Sequence, residues 1–313
     1  MVREFMLRPE RDGFPVNGPV AVLVFCGARG VGKTALLDAL ATELVRTVPH
    51  ARLDCGRFRD RPVPQALAAL AYQLAAPCPG YGSLRLHRSL TAQLALGPVP
   101  ARHRSSARAH VAEQLDQYPK ITDPRQFLAA IADDLVAAPG PAPGSALSDP
   151  HLPELLTGGV DALRRARRNR GDGRAWFGHQ DRELGRDPVE VLAELNRTSR
   201  LGGSAAREVG EVLWAALLAD LRDGFRPGRP AGQRALNCAV LLDDADLATG
   251  LATSLDAALG VVEPAPLTVV ATTGTCGSEP VPIDRASYAD HVERANRRHA
   301  PGTYLVRLGE PGG

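Results

Sequence analysis

The sequence has almost no lysine: of 37 Lys and Arg residues, only Lys33 and Lys120 are lysine. With so much Ala, Gly, Pro and Arg beside it, this is the composition of a GC-rich, actinobacterial-type genome. It also leaves few ways to satisfy a lysine-dependent motif by chance. There is no CxxC pair: Cys26, Cys55, Cys78, Cys238 and Cys276 are odd in number and widely spaced. Neither a disulfide framework nor a zinc knuckle is expected from such spacing, and five reduced thiols are. No run approaches the roughly 18 apolar residues of a membrane span, and the opening MVREFMLRPERDG carries charge where a signal peptide needs an apolar stretch. A cytoplasmic chain without a membrane span is expected. Excess charge of one sign is absent too, the formal net charge being +2. No global field therefore draws the protein to nucleic acid or an anionic membrane. Gly 31 and Pro 26 together stay below the roughly 25–30% of low-complexity chains. What is there is 313 residues at 44% hydrophobic and 23% charged content, enough for a sizeable core and one or two domains.

Val20–Cys26 (VAVLVFC) is a short unbroken apolar run bounded by Gly18-Pro19 and Gly27, which predicts a strand buried on both faces. A glycine-rich turn follows, then a helix over Lys33–Val48 with Leu36, Leu37, Leu40 and Leu44 at helical spacing. Arg52–Cys55 reads as a second strand and Pro64–Ala76 as a helix. From Pro77 to Ala231 the pattern predicts helices, a Pro/Gly connector at Pro139–Gly144, and no strand. Asp123-Pro124 and Asp187-Pro188 mark two helix starts, since Asp caps and Pro suits the first helical position; Glu190 adds a capping-box-like partner. Arg207–Phe225 places Val209, Leu213, Leu217 and Leu221 on one face, widened by Trp214 and Leu218. Strands return at Leu236–Leu242, Leu267–Thr272 and Tyr304–Leu308. The expected architecture is α/β: a three-layer core with a parallel sheet, split into residues 1–76 and 232–313 by a large helical insertion at 77–231.

Gly27-Ala28-Arg29-Gly30-Val31-Gly32-Lys33-Thr34 fits GxxxxGK[ST], directly after a buried strand and opening a helix, which is the context this phosphate-binding pattern requires. Glycines let backbone N–H groups curl around a β-phosphate, and the helix N-terminus favours the anion. Lys33 is expected on the β- and γ-phosphates and the Thr34 hydroxyl on Mg²⁺. Ala239-Val240-Leu241-Leu242-Asp243-Asp244 ends a second buried strand in two carboxylates. Asp243, the first acid beyond the apolar run, is the metal-side group, expected to hold Mg²⁺ through water; Asp244 is the candidate to orient or deprotonate water, with Asp246 as a competitor for local capping.

GARGVGKTALLDAL, VLLDDAD and VVATT together resemble the nucleotide-binding domain of the STAND class of P-loop ATPases, relatives of AAA+ and NB-ARC proteins. The resemblance covers about half of the chain. It implies ATP and Mg²⁺ as ligands, and a sheet in which a sensor strand separates the Walker B strand from the P-loop strand. It also implies a sensor with polar residues near the γ-phosphate, matched here by Thr272 and Thr273. Where such sensors often carry TTR this chain has Gly274, so two outcomes follow: a slowly hydrolysing regulatory switch that toggles the helical insertion, or a non-hydrolysing nucleotide-bound interaction module. The family's lid and winged-helix domain have no counterpart before residue 313, so a protein partner or further domains beyond residue 313 are expected, and a homo-oligomer is left open.

Other classes fit less well. A GTPase would offer an NKxD-like base reader, yet the only lysine after the loop is Lys120. Leu201–Ala205 lacks the order of an ABC signature and reads as a loop. A small-molecule kinase, the third option, would use the same loop with a mobile lid and substrate-binding arginines from the insertion. Leu163–Arg174 packs six arginines together without interleaved aromatics, reads mainly as a solvated helix end, and makes nucleic acid an unexpected partner. An arginine finger is equally assignable to that segment, Arg285 or Arg294. The eight histidines show no ligand spacing, and His179 beside Trp176 reads as a packing residue.

Overall fold

A computed structural model describes residues 2–97, 104–117, 170–178, 187–199, 203–261, 263–274 and 302–308. The chain opens with α1 (Val2–Phe5) and a hairpin of β1 (Glu10–Arg11) and β2 (Phe14–Pro15). It continues through β3 (Ala21–Cys26), α2 (Lys33–Leu44), β4 (His50–Asp54), a 3-10 turn over Cys55–Phe58, and α3 (Val63–Leu74). Helices follow: α4 (His87–Leu96), α5 (Arg104–Gln117), α6 (Arg170–Gly178), α7 (Pro188–Thr198) and α8 (Gly203–Gly224). Then come β5 (Cys238–Asp243), α9 (Thr249–Val261), β6 (Leu267–Thr273) and β7 (Gly302–Arg307). The expected helix start at Asp123-Pro124 and the connector at 139–144 lie outside the described residues.

The fold is α/β, built on a five-stranded sheet in the order β4-β5-β6-β3-β7 with every neighbouring pair parallel. Strands without alternation hide both faces. Every residue of β5 is buried, and so is β6 up to Thr272. β3 differs from its expected two-sided burial, because Val22 and Val24 are half-buried while Ala21, Leu23 and Phe25 are buried. Those three pack in one cluster with Leu37 and Leu44 of α2, with Val48, and with Phe5 and Met6 from the N-terminal segment. β4 is an edge strand. Its exposed main chain is a pairing hazard that sheets usually cover. Here the Gln73 amide of α3 covers it, accepting from Arg52 N at 2.9 Å and donating to Arg52 O at 2.9 Å.

The chain forms two compact units, one of residues 1–86 with 210–313, the other of residues 87–209. Residues 77–86 and 210–231, which sequence pattern assigns to the insertion, therefore belong to the unit that contains the sheet. The reason is apolar burial: Tyr81, Leu84, Leu86, Leu213, Trp214, Leu217, Leu218, Leu221 and Phe225 are all buried. Trp214 also donates its indole N–H to Leu251 O at 3.3 Å, as a buried indole should.

The second unit is helical throughout its described residues. Asp187 caps α7 as expected, accepting from Val189 N at 3.1 Å with Pro188 at the first helical position. Asn196, fully buried on α7, donates to Ala95 O at 2.8 Å and Leu96 O at 3.0 Å and so satisfies the last carbonyls of α4. Phe177 enters this unit's core while Trp176 stays half-buried, the two rings meeting edge to face at 4.8 Å. Among the described residues no helix is long and apolar enough to cross a membrane.

Candidate functional site

Ligand sites in open parallel sheets form outside the carboxyl ends of the strands. Gly27–Thr34 runs from the carboxyl end of β3 into α2. Gly30 and Gly32 adopt φ of 88° and 91°, a left-handed backbone that favours glycine, and an added Cβ at either would meet nothing within 4 Å. Conformation, not space, selects glycine there. Gly27 is the reverse case, a close approach: its Cβ would lie 3.0 Å from Val31 Cγ1 and 3.2 Å from Leu308 O. First-turn amides of a helix lack intrahelical acceptors, and Gly32 offers no side-chain cap to α2, so these N–H groups are available to an anion. Ala28 and Arg29 are exposed on the turn and Val31 is half-buried, its N–H on Ala28 O at 3.4 Å. Lys33 is buried, with its ammonium donating to Gly27 O at 2.8 Å and Ala28 O at 3.0 Å. Thr34 is exposed on the first turn.

β6 lies between β3 and β5, and it organises the aspartates. The Thr272 hydroxyl donates to Asp243 Oδ1 at 2.7 Å and accepts from Asp244 N at 2.9 Å. One fully buried hydroxyl thus orders two consecutive acids, so the structure places Thr272 as a support of Asp243, with both its donor and an acceptor position in use. Thr273, at the register position opposite Cys26, is half-buried. Gly274 N donates to Asp246 Oδ2 at 3.3 Å, which ties the end of β6 to the turn after β5.

Asp244 sits at φ 49°, ψ 52°, a left-handed conformation that aspartate tolerates better than most side chains. Its carboxyl pKa is raised, first by burial and then by the charges of Asp243 and Asp246; Lys33 pulls it back down, and Asp54 adds a smaller upward push. The ammonium of the loop and the acids at the tip of β5 therefore share one electrostatic environment. Asp54, level with Asp243 in the parallel register, caps the Cys55–Phe58 turn, accepting from Gly56 N at 3.0 Å and Arg57 Nε at 3.2 Å. Asp243 is 6% exposed and faces Arg52 Nη2 across 3.6 Å. Sequence reasoning missed Arg52, Asp54 and Asp38, whose carboxylate pairs with Arg52 Nη1.

No protein-family model, curated protein or solved structure matches the chain.

Among the described residues no group of three or more His, Cys, Asp or Glu could hold a metal on its own. Mg²⁺ characteristically takes one or two protein oxygens and completes its shell with water and phosphate. The Asp243 carboxylate and the Thr34 hydroxyl are hard oxygen donors of the kind that role needs. Cys26, the last residue of β3, is disulfide-bonded, while Cys55, Cys78 and Cys238 are free and buried. The expectation of five reduced thiols is corrected at Cys26, because spacing along the chain does not report which thiols meet in space. Arg285, Arg294, His179, Lys120, Cys276 and Leu201 lie outside the described residues.

Cys55 follows directly after Asp54. Burial pushes its thiol up to about 12, and the charges of Asp54, Asp243, Asp244 and Asp246 add to the push. Since the thiolate is the reactive form, Cys55 is expected to resist iodoacetamide at pH 8 in the folded protein and to react after denaturation. Peptide mass mapping checks this; stoichiometric native labelling of Cys55 would contradict the buried, acid-flanked placement.

Proposed function

We propose that the protein is an ATP- and Mg²⁺-binding regulatory NTPase switch of the STAND kind, with Gly27–Thr34 as its P-loop and Asp243 as its Walker B acid. The observation that carries the reading is the strand order: β6 separates the loop strand from the aspartate strand, the arrangement the resemblance implies. In this reading the amides of Gly27–Thr34 bind the phosphates, and the Lys33 ammonium exchanges the carbonyls of Gly27 and Ala28 for phosphate oxygens. Thr34 and Asp243 hold Mg²⁺, which when bound neutralises charge on the β- and γ-phosphates. Asp244 orients the attacking water as the candidate general base. Residues 87–209 are the candidate responder to the nucleotide state.

A second reading, a non-hydrolysing nucleotide-bound interaction module, is favoured by one observation. The Thr272 hydroxyl is committed to Asp243 and Asp244, and the Gly274 amide to Asp246. Phosphate release separates the two. A switch is expected to release phosphate from ATP·Mg²⁺ slowly, and Asp244→Asn to lower that rate about 100-fold, the scale of a lost general base. Release by the wild type no faster than by Lys33→Ala would select the module.

A further inference from the structure

If Asp243 receives a divalent cation, that cation must displace one already there. Asp243 is nearly buried, and an uncompensated carboxylate at that depth is costly. Its Oδ1 accepts from Thr272, and its Oδ2 faces the Arg52 guanidinium. Arg52 is unusually well held for an edge-strand residue. Gln73 clamps its main chain on both the N–H and the carbonyl side, and its other guanidinium nitrogen is paired with Asp38 on α2, the helix that begins at Lys33. Asp38 engages the other nitrogen of the guanidinium, so its contact does not depend on the one to Asp243.

Charge decides what happens next. Asp38, Arg52 and Asp243 carry one net negative charge together; a bound divalent ion makes the group net positive and places two cations on one carboxylate. The guanidinium is a permanent cation and cannot relieve this by neutralising. Movement is the remaining response, and Asp38 supplies the destination.

We propose that Arg52 is an internal counter-ion of Asp243 that competes with the divalent cation, and that Asp38 retains the guanidinium when the metal binds. Arg52 is thereby a positioning residue that sets metal affinity, and the inference rests on the nucleotide-site reading above.

The test is Mn²⁺ binding by the full chain at saturating ADP, with free Mn²⁺ read by electron paramagnetic resonance. Arg52→Gln, which leaves the main-chain clamp to Gln73 in place, is expected to tighten Mn²⁺ binding about tenfold, equivalent to about 1.4 kcal/mol. Asp38→Asn removes the alternative partner, leaves Arg52 on Asp243, and is expected to weaken binding about threefold, roughly 0.65 kcal/mol. The double variant should behave like Arg52→Gln. Opposite shifts in two separate proteins keep the test readable if one variant does not fold. Unchanged or weaker binding in folded Arg52→Gln, or tighter binding in Asp38→Asn, overturns the counter-ion role while wild-type Mn²⁺ binding leaves the nucleotide site standing. Absence of ADP-dependent Mn²⁺ binding in the wild type overturns both.

Discussion

Saturating ATP·Mg²⁺ is expected to stabilise the wild-type protein by about 4 kcal/mol, the linkage value for a ligand at roughly a thousand times its Kd, and to leave Lys33→Ala nearly unmoved. At this chain length that is an upward shift of about 6 °C in Tm. Geometry explains why one side chain should matter so much. The Lys33 ammonium is buried against two carbonyls of the loop it terminates, so it is already largely desolvated. A triphosphate replaces two neutral acceptors with charged ones, adding direct charge–charge attraction to bonds whose donor is already ionised. Removing the ammonium also perturbs the apo loop by the loss of two hydrogen bonds, so each protein must be compared with its own nucleotide-free melt. Equal ligand-induced shifts in Lys33→Ala and wild type would remove the phosphate-binding claim. A shift that persists without Mg²⁺ but still needs Lys33 would keep the cradle and remove Asp243 from the metal.

What could be read in the residues, and what could not, divides along sequence distance. β5 and β6 are unbroken apolar runs because a central parallel strand is covered on both sides, and such runs are visible without a structure. Gly30 and Gly32 were equally legible, since a positive φ leaves few alternatives to glycine. Asp187-Pro188 carried its own cap. The parts that did not show depend on register between distant segments. Arg52 faces Asp243 because β4 lies beside β5 in parallel register, and Asp38 meets Arg52 because α2 packs near the same edge. Neither pairing leaves a local signature. Thr272 was legible as a polar strand end but not as the group that orders Asp243 and Asp244. The unit boundaries at 86 and 210 were hidden for another reason: α8 is one continuous helix whose first residues belong to one unit and whose remainder belongs to the other.

Arg8→Met is expected to cost about 3–5 kcal/mol of folding stability, the scale reached when several buried carbonyls lose their donor together. Nothing in the opening MVREFMLRPERDG distinguishes this arginine from its solvated neighbours, yet it is 4% exposed. Nη1 donates to Ala231 O at 3.3 Å, Gly232 O at 3.1 Å and Arg234 O at 2.9 Å; Nη2 donates to Pro15 O at 3.2 Å, Asn17 Oδ1 at 3.2 Å and Phe225 O at 3.4 Å. The guanidinium also lies 5.2 Å from the Phe225 ring centroid. The carbonyls of Phe225, Ala231, Gly232 and Arg234 converge because residues 225–234 turn tightly; a Cβ on Gly232 would stand 2.1 Å from Arg226 O. Methionine keeps much of the apolar stem and leaves the acceptors unpaired, so the loss isolates the hydrogen bonds. Arg8→Lys should recover less than half of it, since a single ammonium lacks the fork that spans acceptors on both sides.

Urea unfolding with an unchanged m-value is the measurement, and a loss below about 1 kcal/mol would refute the clamp. The clamp sits at the amino ends of the strands: Arg8 N donates to Ala235 O at 2.7 Å and Asn237 N to Met6 O at 2.7 Å, just before β5 begins. Lys33, Asp243 and Thr272 stand at or beyond the opposite, carboxyl ends. Arg8→Met should therefore lower the apo Tm while its nucleotide-induced increment stays at the wild-type value, and Lys33→Ala should do the reverse. If both variants lose the increment together, the binding signal reports global folding and says nothing about the loop.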